Sequence, residues 1–251
     1  MRRLLSRAPQ SLKDAVYRAQ HPVRFGSLRR LTPISDDYGF DRGTPVDRYY
    51  VEGFLARFAA SPDYTGGAIQ GRVMEVGGRD YIDAFAVLGD RPGPGITHHV
   101  DVLHYSAANP EATIVGSLTE PETLPADAFD CIICTQTLHV IYDVHAAVAG
   151  LYRMLAPGGT LLATVPGITR SCVPDRDEWG DWWRFTSLSA RRVLEESFPA
   201  EHVTVEARGN ILTAIGFLHG LASRELRRDE LEVDDPDYEV VITIRATKPA
   251  A

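Results

Sequence analysis

From residue 71 onward, short apolar runs alternate with segments whose apolar positions recur at helical spacing. That alternation is the pattern of a parallel sheet assembled from βα units. It predicts strands at 72–76, 98–103, 112–115, 129–134 and 160–165, with helices at 80–88 and 143–155. The second helix stops before Pro157-Gly158-Gly159, where proline cannot continue a helix and the glycines turn the chain. A helix at 187–198, a strand at 202–208, a helix at 211–227 and an alternating strand at 238–246 follow. Two late strands after five βα units predict a sheet whose last element enters antiparallel.

The first third reads differently. Residues 1–66 are helical and loop-rich, with turn-forming residues over 32–45 running into the helical spacing of 46–55, which Asp47 is placed to cap. The expected organisation is an amino-terminal helical segment over 1–66 and a catalytic domain over 67–251. The long aromatic connection at 167–186 then forms a lid, because open α/β sheets bind ligands at the carboxyl ends of their strands. The first thirty residues carry Arg2, Arg3, Arg7, Lys13, Arg18, Arg24, Arg29 and Arg30 against the single acid Asp14. With no apolar core behind them, they read as a solvated helix at the domain's edge rather than a transit segment or a membrane-surface helix.

Composition narrows the function classes. At 44% hydrophobic residues the chain is an ordinary globular protein. A net charge of −8 argues against a general nucleic-acid binder, which needs a basic surface for phosphates. No apolar stretch approaches the roughly 18 residues that span a bilayer. The three cysteines form no framework. Cys131 and Cys134 lie three apart in a predicted strand and so point to opposite faces, as buried thiols. A cytoplasmic setting and a small-molecule acceptor are expected, with no nucleic-acid or membrane partner and with homo-oligomerisation left open.

The candidate chemistry begins at Gly71-Arg-Val-Met-Glu-Val-Gly-Gly-Arg-Asp80. A glycine turn at a strand end lets backbone approach a ligand, and the following helix offers free N–H groups. On the next strand Asp101 follows Gly77 by 24 positions, near the spacing of about 20 at which a dinucleotide fold places its ribose acid. Together these point to a nucleotide without saying which. His98, His99 and Asp101 do not make a metal site on this reading, because adjacent strand residues face opposite ways.

The chain resembles the class I S-adenosylmethionine-dependent methyltransferases of the small-molecule branch. Val73-Met-Glu-Val-Gly77, Asp101, Val115-Gly-Ser-Leu118, Phe129-Asp-Cys-Ile-Ile133, Thr137-Leu-His-Val-Ile-Tyr-Asp143 and Leu151-Tyr-Arg-Met-Leu-Ala-Pro-Gly-Gly-Thr160 carry the resemblance, in order. It departs at Arg79 and Tyr81, which stand where two further glycines would fall, and at Ser117, where an acid often stands. The resemblance implies an open, doubly wound, mostly parallel seven-stranded sheet of Rossmann type, and S-adenosyl-L-methionine as cofactor. It implies that Glu75, Val76, Gly77 and Gly78 form the first turn, Asp101 and Val102 meet the ribose, Ser117 and Leu118 lie beside adenine, and Thr135, Gln136 and Thr137 follow the fourth strand.

On the acceptor side, transfer to oxygen calls for a base. His139 is the first candidate, since histidine titrates near neutrality; a packed histidine beside the cofactor wall is the open alternative. Asp181 is the second candidate, unless it pairs with Arg184 or caps a turn. Tyr142, Trp179, Trp183 and Arg184 are expected at the acceptor, where an aromatic lining suits a sulfonium or a sugar ring. Arg42, Tyr49 and Tyr50 are expected either to close over the cofactor's carboxylate from the amino-terminal side or to be solvated surface residues. The expected reaction is O-methylation of a small hydroxylated metabolite, a sugar or natural product. Two other readings share part of the pattern: a nicotinamide-dependent oxidoreductase, and a non-catalytic binding subunit that keeps the sheet.

Overall fold

The computed structural model describes residues 9–20, 26–59 and 67–250. The chain divides between Pro33 and Ile34 into two units. In the first, helix α1 (Gln10–Gln20) has no buried residue, and a 3-10 turn spans Gly26–Leu28. Arg2, Arg3, Arg7 and Arg24 of the basic amino terminus lie outside the described residues. Among the described residues no helix is long and apolar enough to cross a membrane.

The second unit, Ile34–Ala251, holds a seven-stranded sheet in the order β3-β2-β1-β4-β5-β7-β6. Its strands are β1 (Gly71–Val76), β2 (Thr97–His104), β3 (Ile114–Val115), β4 (Phe129–Thr135), β5 (Leu155–Pro166), β6 (Val203–Arg208) and β7 (Val241–Thr247). The first five pair in parallel, and β7 inserts antiparallel between β5 and β6. All seven expected strands are present. The chain runs outward from β1 to β3, then returns to β4 and on to β5. The reversal leaves a crevice at the carboxyl ends of β1 and β4, where open sheets take their ligands.

Two cores cover the two faces of the sheet. Cys134, with Met74, Ile132 and Leu161, packs with α4 (Val144–Met154) and α6 (Ser187–Glu195). Cys131, with Val73, Ile133 and Leu162, packs with α2 (Val46–Ala56) and α7 (Ile211–Leu218). Strand alternation thus separates the two thiols as the spacing requires.

The differences from expectation lie in helix lengths and in the amino-terminal boundary. Helix α3 (Asp80–Phe85) ends early, and Leu88 instead bridges to Thr97 at the start of β2. The expected helix over 211–227 stops at Leu218. Gly220 turns there at φ +70, a conformation open to glycine, and the short α8 (Arg228–Leu231) follows separately. Residue 34 onward groups with the sheet, and α2 buries Val46, Tyr50, Val51, Phe54 and Leu55 against it. The helix at 46–56 is therefore part of the domain rather than of a separate segment ending at 66.

Candidate active site

Two adjoining cavities open at the carboxyl ends of the parallel strands. The larger, a cleft of about 740 Å³, is bounded by Val76 and Gly77 after β1, His104 and Tyr105 at the end of β2, and Ser117 and Leu118 after β3. Its far wall comes from Gln136 to Asp143 after β4 and from Glu178, Trp179 and Trp182 of the long loop. That volume lies within the roughly 300–1,000 Å³ that holds a small ligand. Gly77 sits at φ +100, where an L side chain is strained, and a Cβ there would meet nothing within 4 Å. The backbone therefore reaches the cleft with open space before it, a cradle for a close-approaching ligand.

Glu75 acts beneath this turn rather than in the cleft. Its buried carboxylate accepts the amides of Tyr81 (3.1 Å) and Ile82 (2.9 Å), tying the end of β1 to the first turn of α3. Burial pushes its pKa up to about 7, against the opposing pull of those two amides. Arg79 is bound to Asp83 one helical turn on, at 2.9 and 2.7 Å. Gly78 and Thr135 do not line the cleft.

Asp101 is not where the sequence places it. β2 runs on for three residues past it, to His104, about 10 Å at the usual rise per strand residue. The Asp101 carboxylate is buried under Arg72 Nε (2.8 Å), Thr113 Oγ1 (2.8 Å) and His99 Nε2 (3.3 Å). Its neighbour Val102 is likewise core. The apolar continuation Val102-Leu103 was the signal that the strand does not end at the acid.

The smaller cavity, about 220 Å³, holds His139, Asp181 and Arg184 with Tyr38, Arg48 and Arg170. It shares Gln136 and Asp175 with the cleft, so these two side chains stand at the junction. Tyr38 (φ +54) and Gln136 (φ +46) are two of the three non-glycine residues with positive φ among the described residues. Such strain gathers where function fixes the backbone. Gln136 is held by its amide on the Thr164 carbonyl (2.9 Å) and its Nε2 on Thr164 Oγ1 (3.3 Å).

His139 Nδ1 is buried without a hydrogen-bond partner. Burial, reinforced by the Arg184 charge, lowers the imidazole pKa to about 4, so the ring is neutral at pH 7. Asp181 is fixed instead: Arg184 grips both its oxygens at 2.5 and 2.8 Å, and the Cys172 amide reaches it at 3.3 Å. The guanidinium holds the carboxyl below its ordinary range and occupies both its oxygens, leaving neither free for an acceptor proton. The expectation of Asp181 as a proton acceptor is corrected to the ion pair with Arg184.

The loop over 167–186 is hydrogen-bonded to the turn after β4. Trp182 and Trp183 donate backbone amides to the His139 carbonyl, at 2.9 and 3.1 Å. Trp179 lines the cleft against Tyr105, with centroids 4.1 Å apart, and Trp182 meets Tyr142 at 5.1 Å. Trp183 lines neither cavity; its Nε1 binds the carbonyls of Ile141 (3.1 Å) and Tyr142 (3.2 Å) and locks the lid down.

From the amino-terminal side, Arg42, Tyr49 and Tyr50 do not reach either cavity. Arg42 pairs with Glu225. Tyr50 is core and donates its hydroxyl to the Leu231 carbonyl at 3.0 Å. Tyr49 lines a separate hollow beside Arg208 and Glu232. Positions 46, 50, 51, 54 and 55 form the buried face of α2, and that periodicity already marked Tyr50 as core. Tyr38 and Arg48 supply the amino-terminal wall instead.

The strand order and the cleft at the carboxyl ends are those of an open, doubly wound α/β fold. A family model described as a methyltransferase domain matches residues 47–209, well over half of the chain, and the chain belongs to that family. Among curated proteins it is similar to "Probable polyketide synthase 5" of Dictyostelium discoideum, 31% identical over 102 residues, which are 40% of this chain and 4% of that protein. "Probable polyketide synthase 40" of the same organism is 37% identical over 90 residues, 35% of this chain and 3% of that one. Among solved structures, phosphoethanolamine N-methyltransferase 2 of Haemonchus contortus, in complex with S-adenosyl-L-methionine, has a TM-score of 0.47 at 15% identity. That match covers 90% of this chain and 55% of the other.

Proposed function

We propose that the enzyme O-methylates a small hydroxylated metabolite, a sugar or natural product, bound in the His139 cavity. The observation that carries this reading is the buried, unpartnered Nδ1 of an imidazole kept neutral, in a cavity that meets the larger cleft at Gln136 and Asp175. An unpaired buried nitrogen is a missing hydrogen-bond partner, and an acceptor hydroxyl supplies one.

In the cleft, Gly77, the apolar Val76, Leu118 and Ile141, and the polar Ser117 and Thr137 are the residues that would hold the cofactor. When bound, the cofactor supplies a methyl group on a sulfonium. Within the cavity His139 takes the hydroxyl proton as the oxygen becomes nucleophilic, and its neutrality leaves it free to do so. Arg184 stays fixed on both oxygens of Asp181. A natural-product acceptor is supported by the stretches shared with the polyketide synthases.

The test is methyl transfer from labelled S-adenosylmethionine to a panel of monosaccharides, phenols and primary amines. Label on oxygen, abolished in His139→Ala, supports the reading; transfer to amines alone contradicts it.

A further inference from the structure

The carboxyl end of β2 carries no acid. His104 closes the strand, Tyr105 follows, and both line the cofactor cleft, whereas Asp101 lies three residues back with its carboxylate engaged by Arg72 and Thr113. A carboxylate nevertheless reaches this end of β2 from a distant part of the chain. Glu178, the last residue of α5 (Val173–Glu178) in the lid, accepts a hydrogen bond from the Tyr105 hydroxyl at 3.4 Å. Trp179 packs edge-on against Tyr105 and His104, at 4.1 and 5.8 Å between centroids.

Three carboxylates line the cleft: Asp143, Asp175 and Glu178. Asp143 caps α4 through the Ala146 amide at 3.0 Å, and Asp175 stands at the junction with the His139 cavity. Glu178 is the one joined to the end of β2, and apart from the Tyr105 bond it has no protein partner among the described residues. Among the described residues His104 is hydrogen-bonded only through Nδ1, by the backbone of Ser106 at 2.9 and 3.1 Å. Its Nε2 either donates or accepts, according to tautomer, and a hydroxyl can meet it in both cases.

We infer that Glu178 and His104 bind the two ribose hydroxyls of the cofactor, in place of an acid on β2. The inference rests on the larger cleft being the cofactor site. Its consequence is that the lid contributes to cofactor binding, so that an open lid binds cofactor weakly.

Calorimetric titration of the whole chain with S-adenosylhomocysteine and with its 2′-deoxy analogue tests this without any acceptor. Wild type should prefer the ribose ligand at least tenfold. Glu178→Gln should lose roughly 10- to 100-fold in S-adenosylhomocysteine affinity, the scale of a hydrogen bond to a charged group, and the double variant Glu178→Gln with His104→Ala should bind both ligands alike. Asp101→Asn, checked for folding by circular dichroism, should keep the wild-type preference. Unchanged S-adenosylhomocysteine affinity in Glu178→Gln, a folded double variant that still discriminates, or a folded Asp101→Asn protein that does not, overturns the inference. Failure of wild type to bind either ligand overturns the cofactor cleft itself.

Discussion

The backbone amide of Trp182 donates to the carbonyl oxygen of His139 across 2.9 Å. This bond fastens the lid to the turn that carries the proposed base.

Replacing His139 by alanine leaves that bond in place, because only its backbone is involved. His139→Ala should therefore keep its lid and its S-adenosylhomocysteine affinity, while turnover falls about 10²–10⁴-fold. Since the imidazole pKa is lowered to about 4, the wild-type rate should be level from about pH 5.5 to 8 and should fall below pH 5 as the ring protonates. A rate that falls with a midpoint near 6.5 would mean the ring is not desolvated.

Glu75 gives a prediction in stability. Its folded pKa of about 7 lies above the ordinary value of 4.5, so the folded state holds the proton more tightly than the unfolded chain. Stability from this group therefore rises as pH falls from about 7 to 4.5, and the charged carboxylate costs stability above that window. His139, shifted down, acts in the opposite sense over an overlapping range, so the comparison must be with Glu75→Gln. Between pH 8 and pH 5, wild type should gain on the order of 1–3 kcal/mol relative to the variant in urea unfolding. A constant difference would place the carboxyl in water.

Gly77 is tested by its backbone. Alanine at φ +100 is strained by about 1–2 kcal/mol, although its methyl has room in the cleft. Gly77→Ala should lower thermal stability modestly and weaken S-adenosylhomocysteine binding more than tenfold, because the methyl occupies the approach. Intact affinity would move the cofactor away from the first turn.

The sheet was legible because each strand is a short apolar run bounded by turn residues, and strand identity depends on little beyond that. Gly77, the Ser117-Leu118 turn, Gln136 and His139 line the two cavities, and each lies within a few residues of a strand's carboxyl end, which the strand pattern locates. Asp101 was misplaced because the count from Gly77 was set above the strand's own extent: Val102 and Leu103, already within the predicted strand at 98–103, carry β2 past the acid. Contributions from outside the βα pattern were hidden. Tyr38 reaches the cavity from an irregular loop at positive φ, and Glu178 meets Tyr105 across 73 residues of chain. Neither contact has a period that one sequence could reveal.

The central claim is that the cleft at the carboxyl ends of β1, β2 and β4 takes S-adenosylmethionine. The most direct measurement is thermal unfolding of the pure protein with S-adenosylhomocysteine and, separately, with NAD. The expected result is a rise in melting temperature that grows with S-adenosylhomocysteine, equivalent to about 2.7 kcal/mol at 100 times the dissociation constant, and none with NAD. No rise at millimolar S-adenosylhomocysteine, or a rise with NAD instead, would contradict it.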